Sequence, residues 1–146
     1  MKIFSNPNAK LKSKYGQYQI AVLGNIVGVS AEGMADTEAI ARYSRDMMDV
    51  INQFGGERWA FLGFLYGSAV LTKGGEEELQ KSIEWRVSKG MRLGALVIGE
   101  TTIESMVEAQ FGRIYQKAGT QLGVFSDEDS AMAWLEQQGF SASNTR

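Results

Sequence analysis

The sequence predicts an α/β domain: a single mixed sheet of about five strands, antiparallel at its N-terminal edge and parallel in its centre, with about four helices. Three observations point there. The apolar period switches repeatedly between two and 3.6 along the chain. The runs 59–65 and 93–98 carry no polar position on either face, as strands covered on both sides do. Glycine and capping residues punctuate the segments between them.

In chain order, 10–15 alternates in polarity and reads as a first strand, with Gly16-Gln17 as the turn into the next. Tyr18, Ile20 and Val22 alternate with Gln17, Gln19 and Ala21, a half-buried strand. Ile40, Tyr43, Met47, Ile51 and Phe54 then recur at three and four residues behind Asp36, a cap, and before Gly55-Gly56, a stop, which predicts the first helix. The central strand Trp59 to Leu65 follows. Glu76, Glu77 and Glu78 are expected to open a second helix with Leu79, Ile83 and Val87 inside, closed by Lys89-Gly90. Leu93 to Ile98 is the next buried strand. Thr101 with Glu104 reads as a capping box for a third helix carrying Ile103, Met106, Val107 and Ile114 and ending near Gly119. Leu122 to Phe125 forms the last strand, and Ser126-Asp127-Glu128-Asp129 caps a final helix lined by Ala131, Trp134 and Leu135 and stopped by Gly139.

No repeat or linker divides the chain, so 1–140 is expected to be one domain and 141–146 a flexible tail. Its 146 residues suffice to bury roughly 70% of the unfolded surface, so the core needs neither disulfide nor metal. The chain has no histidine and no cysteine. That excludes Ser-His-Asp and Cys-His nucleophilic systems, zinc fingers, haem and iron–sulfur ligation, and imidazole acid–base catalysis. No glycine is followed two residues later by another and no Gly-Lys pair occurs, so dinucleotide and P-loop fingerprints are absent. The carboxylates at 76–78 and 127–129 fall in first turns, where they serve the helix dipole. No catalytic residue, metal ligand or cofactor is therefore expected, and the chain is read as a non-enzyme.

A net charge of −2 leaves no field for nucleic acid; Lys2, Lys10, Lys12 and Lys14 read as protection of an edge strand. The run Ile20 to Val29 is interrupted by Asn25 and flanked as a strand is, and the uncharged run 59–72 falls short of a span, so no signal peptide or integral membrane segment is expected and the location is read as cytoplasmic.

The segment 66–75 leaves the carboxyl end of a central strand and leads to a helix amino terminus, where open α/β sheets place binding crevices. It is also unusually apolar. Tyr66, Gly67, Ser68, Val70, Leu71 and Thr72 are the candidate ligand- or partner-binding residues; Val70 and Leu71 either pack over the sheet edge or line a pocket. Trp85 lies off the inner stripe of its helix and reads as a surface aromatic, and Met48 beside Met47 as a second apolar patch; both favour a contact surface and a homodimer.

The order of elements, the Gly33-Met34 turn before the first helix, and the ending Val124-Phe125-Ser126-Asp127-Glu128-Asp129-Ser130-Ala131-Met132-Ala133-Trp134-Leu135 resemble the SpoIIAA-like proteins, relatives of STAS domains and of CRAL-TRIO lipid-binding domains. The resemblance covers about residues 10–138. It implies a STAS-like fold and a regulatory, protein-interacting role. In STAS antagonists a serine in an Asp-Ser-Ser-Gly-type turn is phosphorylated; the matching turn Leu65-Tyr66-Gly67-Ser68-Ala69 keeps Ser68 without the acidic neighbour or following glycine. The CRAL-TRIO likeness implies instead a small apolar or lipid-like ligand held between sheet and helices.

Overall fold

The computed structural model describes residues 9–13, 16–101 and 103–142. Lys2, Pro7, Lys14, Tyr15, Thr102 and 143–146 lie outside them. Six strands form one sheet in sequential order: β1 (Ala9–Ser13), β2 (Gly16–Leu23), β3 (Ile26–Glu32), β4 (Trp59–Gly67), β5 (Met91–Thr101) and β6 (Gln121–Phe125). The pairs β1·β2 and β2·β3 are antiparallel; β3·β4, β4·β5 and β5·β6 are parallel. Four helices, α1 (Thr37–Ile51), α2 (Lys73–Ser88), α3 (Glu104–Ala118) and α4 (Glu128–Gln137), alternate with the later strands. The mixed α/β sheet expected from the sequence is thus present, with β3 as an additional strand.

That strand is the second arm of a hairpin. Leu23 pairs with Ile26 across Gly24-Asn25, and Gly24 takes the left-handed conformation (φ +58°) such a tight turn requires. The first connection also differs from expectation. Ser13 pairs with Gly16, so Gly16 and Gln17 already belong to β2.

Alternation along the strands divides the core in two. Tyr18, Ile20, Val27, Val29, Trp59, Phe61 and Leu96 face α1, α2 and α3 and meet Ile40, Tyr43, Leu79, Ile83, Val107 and Ile114. Ala21, Ile26, Ala60, Leu62, Phe64, Leu93 and Ala95 face the other way and meet Ala131, Leu135 and Phe140. Ser141, read as the start of the tail, donates its N–H to Asn25 Oδ1 (2.9 Å), while Asn25 N–H donates to the Ser141 carbonyl.

The helix starts follow the capping rules with two corrections. Asp36 accepts from Ala39 N–H at 2.9 Å and Asp127 from Ser130 N–H at 2.7 Å, as expected. α2, however, begins at Lys73, a turn before the three glutamates, because Thr72 Oγ1 accepts from Gly75 N–H at 3.0 Å. Gly74 and Gly75 are tolerated in this first turn because a Cβ on either would lie 2.2 Å from Thr37 Oγ1 or 2.0 Å from the Ala35 carbonyl oxygen. The Thr101–Glu104 capping box does not form. β5 runs on through Thr101, and α3 starts behind Ile103 with no side-chain cap, leaving Ile103 and Met106 exposed rather than inward.

Candidate functional site

The three helices do not close completely on the sheet. Between them lies a mostly apolar cavity of about 40 Å³, bounded by Val29 and Ala31 of β3, Phe61, Gly63 and Leu65 of β4, and Leu96 of β5. Ile40 and Tyr43 of α1, Leu79, Ile83 and Arg86 of α2, and Phe111 and Tyr115 of α3 form its opposite wall. Two glycines in central strands make room for two of its aromatic side chains. A Cβ on Gly63 would stand 2.7 Å from the Phe61 ring, and one on Gly94 2.7 Å from the Tyr115 ring, so these rings occupy space where a side chain would otherwise project.

The residues after β4 form the cavity's roof. Gly33, Met34, Ser68, Ala69 and Leu71 close the end of the cavity near the carboxyl ends of the strands. Hydrogen bonds fasten this segment on three sides. Gly33 N–H donates to the Ser68 carbonyl (2.8 Å) and Thr72 N–H to the Ala35 carbonyl (3.0 Å). From α3, the buried Gln110 amide takes both backbone groups of Leu71, accepting from its N–H and donating to its carbonyl, each at 2.9 Å. A side-chain amide thus supplies the pairing that a neighbouring strand would have given.

Arg86 is the unusual member of the wall. It is 1% exposed and stands on the apolar stripe Gly75, Leu79, Ile83, Arg86 of α2. Its Nη2 donates to Tyr43 Oη at 2.9 Å, and its guanidinium carbon lies 5.2 Å from the Tyr43 ring centroid and 5.3 Å from that of Phe61. Its Nε has no hydrogen-bond partner, and among the described residues no carboxylate pairs with it. The Tyr115 hydroxyl, equally buried, also lacks a partner. Burial raises the pKa of both phenols, with the Arg86 charge acting the other way on each, so both stay protonated at neutral pH.

No protein-family model, curated protein or solved structure matches the chain. The site is therefore read from its own geometry. Of the residues singled out in the sequence, Ser68 and Leu71 border the cavity, while Val70 is partly buried against the core beside it. Thr72 caps α2 at the surface. Tyr66 points to the other face: its hydroxyl accepts from Ser30 Oγ at 3.4 Å, and Ser30 alternates with the cavity-facing Val29 and Ala31. Gly67 (φ +63°) carries no side chain because the Glu32 carboxylate occupies that place, held there by Gln17 Nε2 at 2.8 Å. Trp85 is only partly exposed; it packs against the core and has the Lys89 ammonium 5.9 Å from its ring. Met48 is exposed, as expected.

Sequence reasoning missed Arg86, Tyr43 and Tyr115 as site residues. The signal was present in the first: an arginine continuing a four-and-three apolar spacing is a charge placed where charge is expensive. Among the described residues no group of three Asp, Glu, His or Cys side chains is arranged to hold a metal ion. No described helix is long and apolar enough to cross a membrane.

Proposed function

We propose that this chain is a non-enzymatic, SpoIIAA-like binding module that takes a small, mainly apolar ligand between its sheet and helices α1, α2 and α3. The observation that carries this reading is the cavity under Ser68–Leu71, bordered chiefly by apolar side chains and roofed by a segment held through hydrogen bonds rather than by a strand or helix. At about 40 Å³ it holds a group of a few heavy atoms, well below the ~150 Å³ that accepts a benzene ring. The ligand is accordingly short-chained, and one with as many heavy atoms as benzene enters only by displacing part of the roof.

A contact role, the other function the family resemblance implies, draws support from Ile103, just before α3, and Met106 in its first turn, which are 43% and 46% exposed. They stand at the same end of the sheet as the roof, since α3 follows the end of β5. A homodimer would cover them. Phosphorylation of Ser68 fits less well: the serine is exposed, but the neighbouring Gly67 position already holds the Glu32 carboxylate, which would repel a phosphate.

Two measurements test the reading. Native mass spectrometry of freshly purified protein reports oligomeric state and any co-purified small molecule together; a dimer is expected, and a monomer at all concentrations would remove the homodimer. Thermal shift and NMR titration with alcohols, amides and acids of three to five carbons then probe the cavity. At least one compound should raise the midpoint and move the resonances of Ala69, Leu71 and Leu96. If none does, and no ligand co-purifies, the binding function is wrong.

A further inference from the structure

We infer that the ligand of this cavity is a monoanion, a short-chain carboxylic acid whose carboxylate is held by Arg86. The inference rests on the binding reading above and adds the chemical class. A guanidinium withdrawn from water is costly unless a counter-charge or a full set of hydrogen bonds replaces its hydration. Arg86 has neither. One nitrogen donates to Tyr43, two aromatic faces flank the planar group, and Nε is left without an acceptor.

The surroundings complete an anion site from three helices. Tyr43 on α1 accepts from Arg86, which leaves its own proton to donate, and no described residue takes that proton. Tyr115 on α3 has a buried hydroxyl without a partner. Three donors, the Arg86 Nε–H and two phenol O–H groups, therefore belong to side chains that line one cavity, and none has an acceptor of its own. A carboxylate supplies several lone pairs and one negative charge to a single guanidinium, whereas a doubly charged phosphate would bring a charge that nothing here balances. The rest of the lining, Val29, Leu65, Leu79, Ile83 and Leu96, suits an aliphatic chain. Glu32, at the roof end, is the one acid that borders the cavity; its carboxylate is turned to Gln17 and Gly67 and makes no ion pair with Arg86.

The decisive comparison is between butyrate and butyramide, which share a shape and differ in charge. Titrated into the full chain and followed by NMR at pH 7, butyrate should bind at least about tenfold more tightly than butyramide, as charge-assisted hydrogen bonds exceed neutral ones. Arg86→Met should abolish that preference while keeping the circular dichroism of the folded protein. Tyr115→Phe, which preserves the ring and its packing, should weaken butyrate severalfold and leave butyramide less affected. If butyramide binds as well as butyrate, the cavity takes apolar ligands and the anion site is wrong. If neither binds, the binding function proposed above falls along with it. Should Arg86→Met fail to fold, the acid-over-amide comparison in the wild type and the Tyr115→Phe result still settle the matter.

Discussion

A cation at 1% exposure on an apolar helix stripe must be tolerated by something, and in this protein the tolerance comes from aromatic groups. The Tyr43 hydroxyl accepts a hydrogen bond from Arg86, and the rings of Tyr43 and Phe61 both lie against the guanidinium. Tyr43→Phe keeps the ring but removes the acceptor, so it should destabilise the unliganded protein by about 1–3 kcal/mol, the usual cost of leaving a buried donor unmade. Arg86→Met fills similar volume without charge and should leave the unliganded protein at least as stable, with a gain on the order of 1 kcal/mol. In the Arg86→Met background, Tyr43→Phe should lose most of its effect, because no charge is then stranded. Urea unfolding of the four proteins measures this; equal Tyr43→Phe effects in both backgrounds would sink it. Arg86 was legible from its spacing with Leu79 and Ile83. Its surroundings were not, because nothing in one sequence says that Tyr43 and Tyr115, from helices on either side of α2, line the same cavity as Arg86.

Among the elements, the middle of the roof segment is held by a single amide. Gln110 makes both of its hydrogen bonds to Leu71, and the remaining ties of 68–72 run to Gly33 and Ala35 before α1. Gln110→Leu would strand a buried N–H and C=O, with an expected loss of roughly 2–3 kcal/mol. Hydrogen exchange should locate the effect: the Leu71 amide should exchange faster than in the wild type by more than the global destabilisation explains, while amides of β4 and β5 follow global stability. Uniform acceleration would show that the segment is no separate unit. The sequence marked this segment by its apolar character and its place after a central strand, but the clamp comes from 39 residues away and leaves no local signature. β3 is a different case. Gly24-Asn25 is a hairpin signal, yet the continuous apolarity of Ile26 to Val29 blurs the alternation by which a half-buried strand is recognised, because both faces of β3 are covered. The capping box at Thr101 failed for a related reason: a paired strand outlasted its apolar stretch and consumed the residue that would have capped α3.

For the molecule as a whole, buried phenols set its upper pH limit. Tyr18, Tyr43 and Tyr115 all have raised pKa values, chiefly through burial, with Tyr18 raised further by its hydrogen bond to Asp46. Below the ordinary phenol value of ~10 both folded and unfolded chains hold these protons. Above it the unfolded chain releases them while the folded one retains them, so stability falls as pH rises beyond ~10. Tyrosinate absorbance for these three residues should therefore appear together with the loss of circular dichroism; full tyrosinate formation in a chain that keeps its native spectrum would contradict the assignment. Stability across the neutral range should vary little on their account.

The two faces of the sheet are finished at different times. Helices α1, α2 and α3 are interleaved with the strands they cover, but the opposite core, around Ala60, Leu62, Phe64 and Ala95, waits for Ala131, Leu135 and Phe140. On a ribosome the chain emerges from its amino end, so an almost complete sheet must persist with one apolar face open until the final helix arrives and Ser141 reaches back to Asn25. That interval is where this protein is most exposed to self-association, and where a chaperone would be needed most.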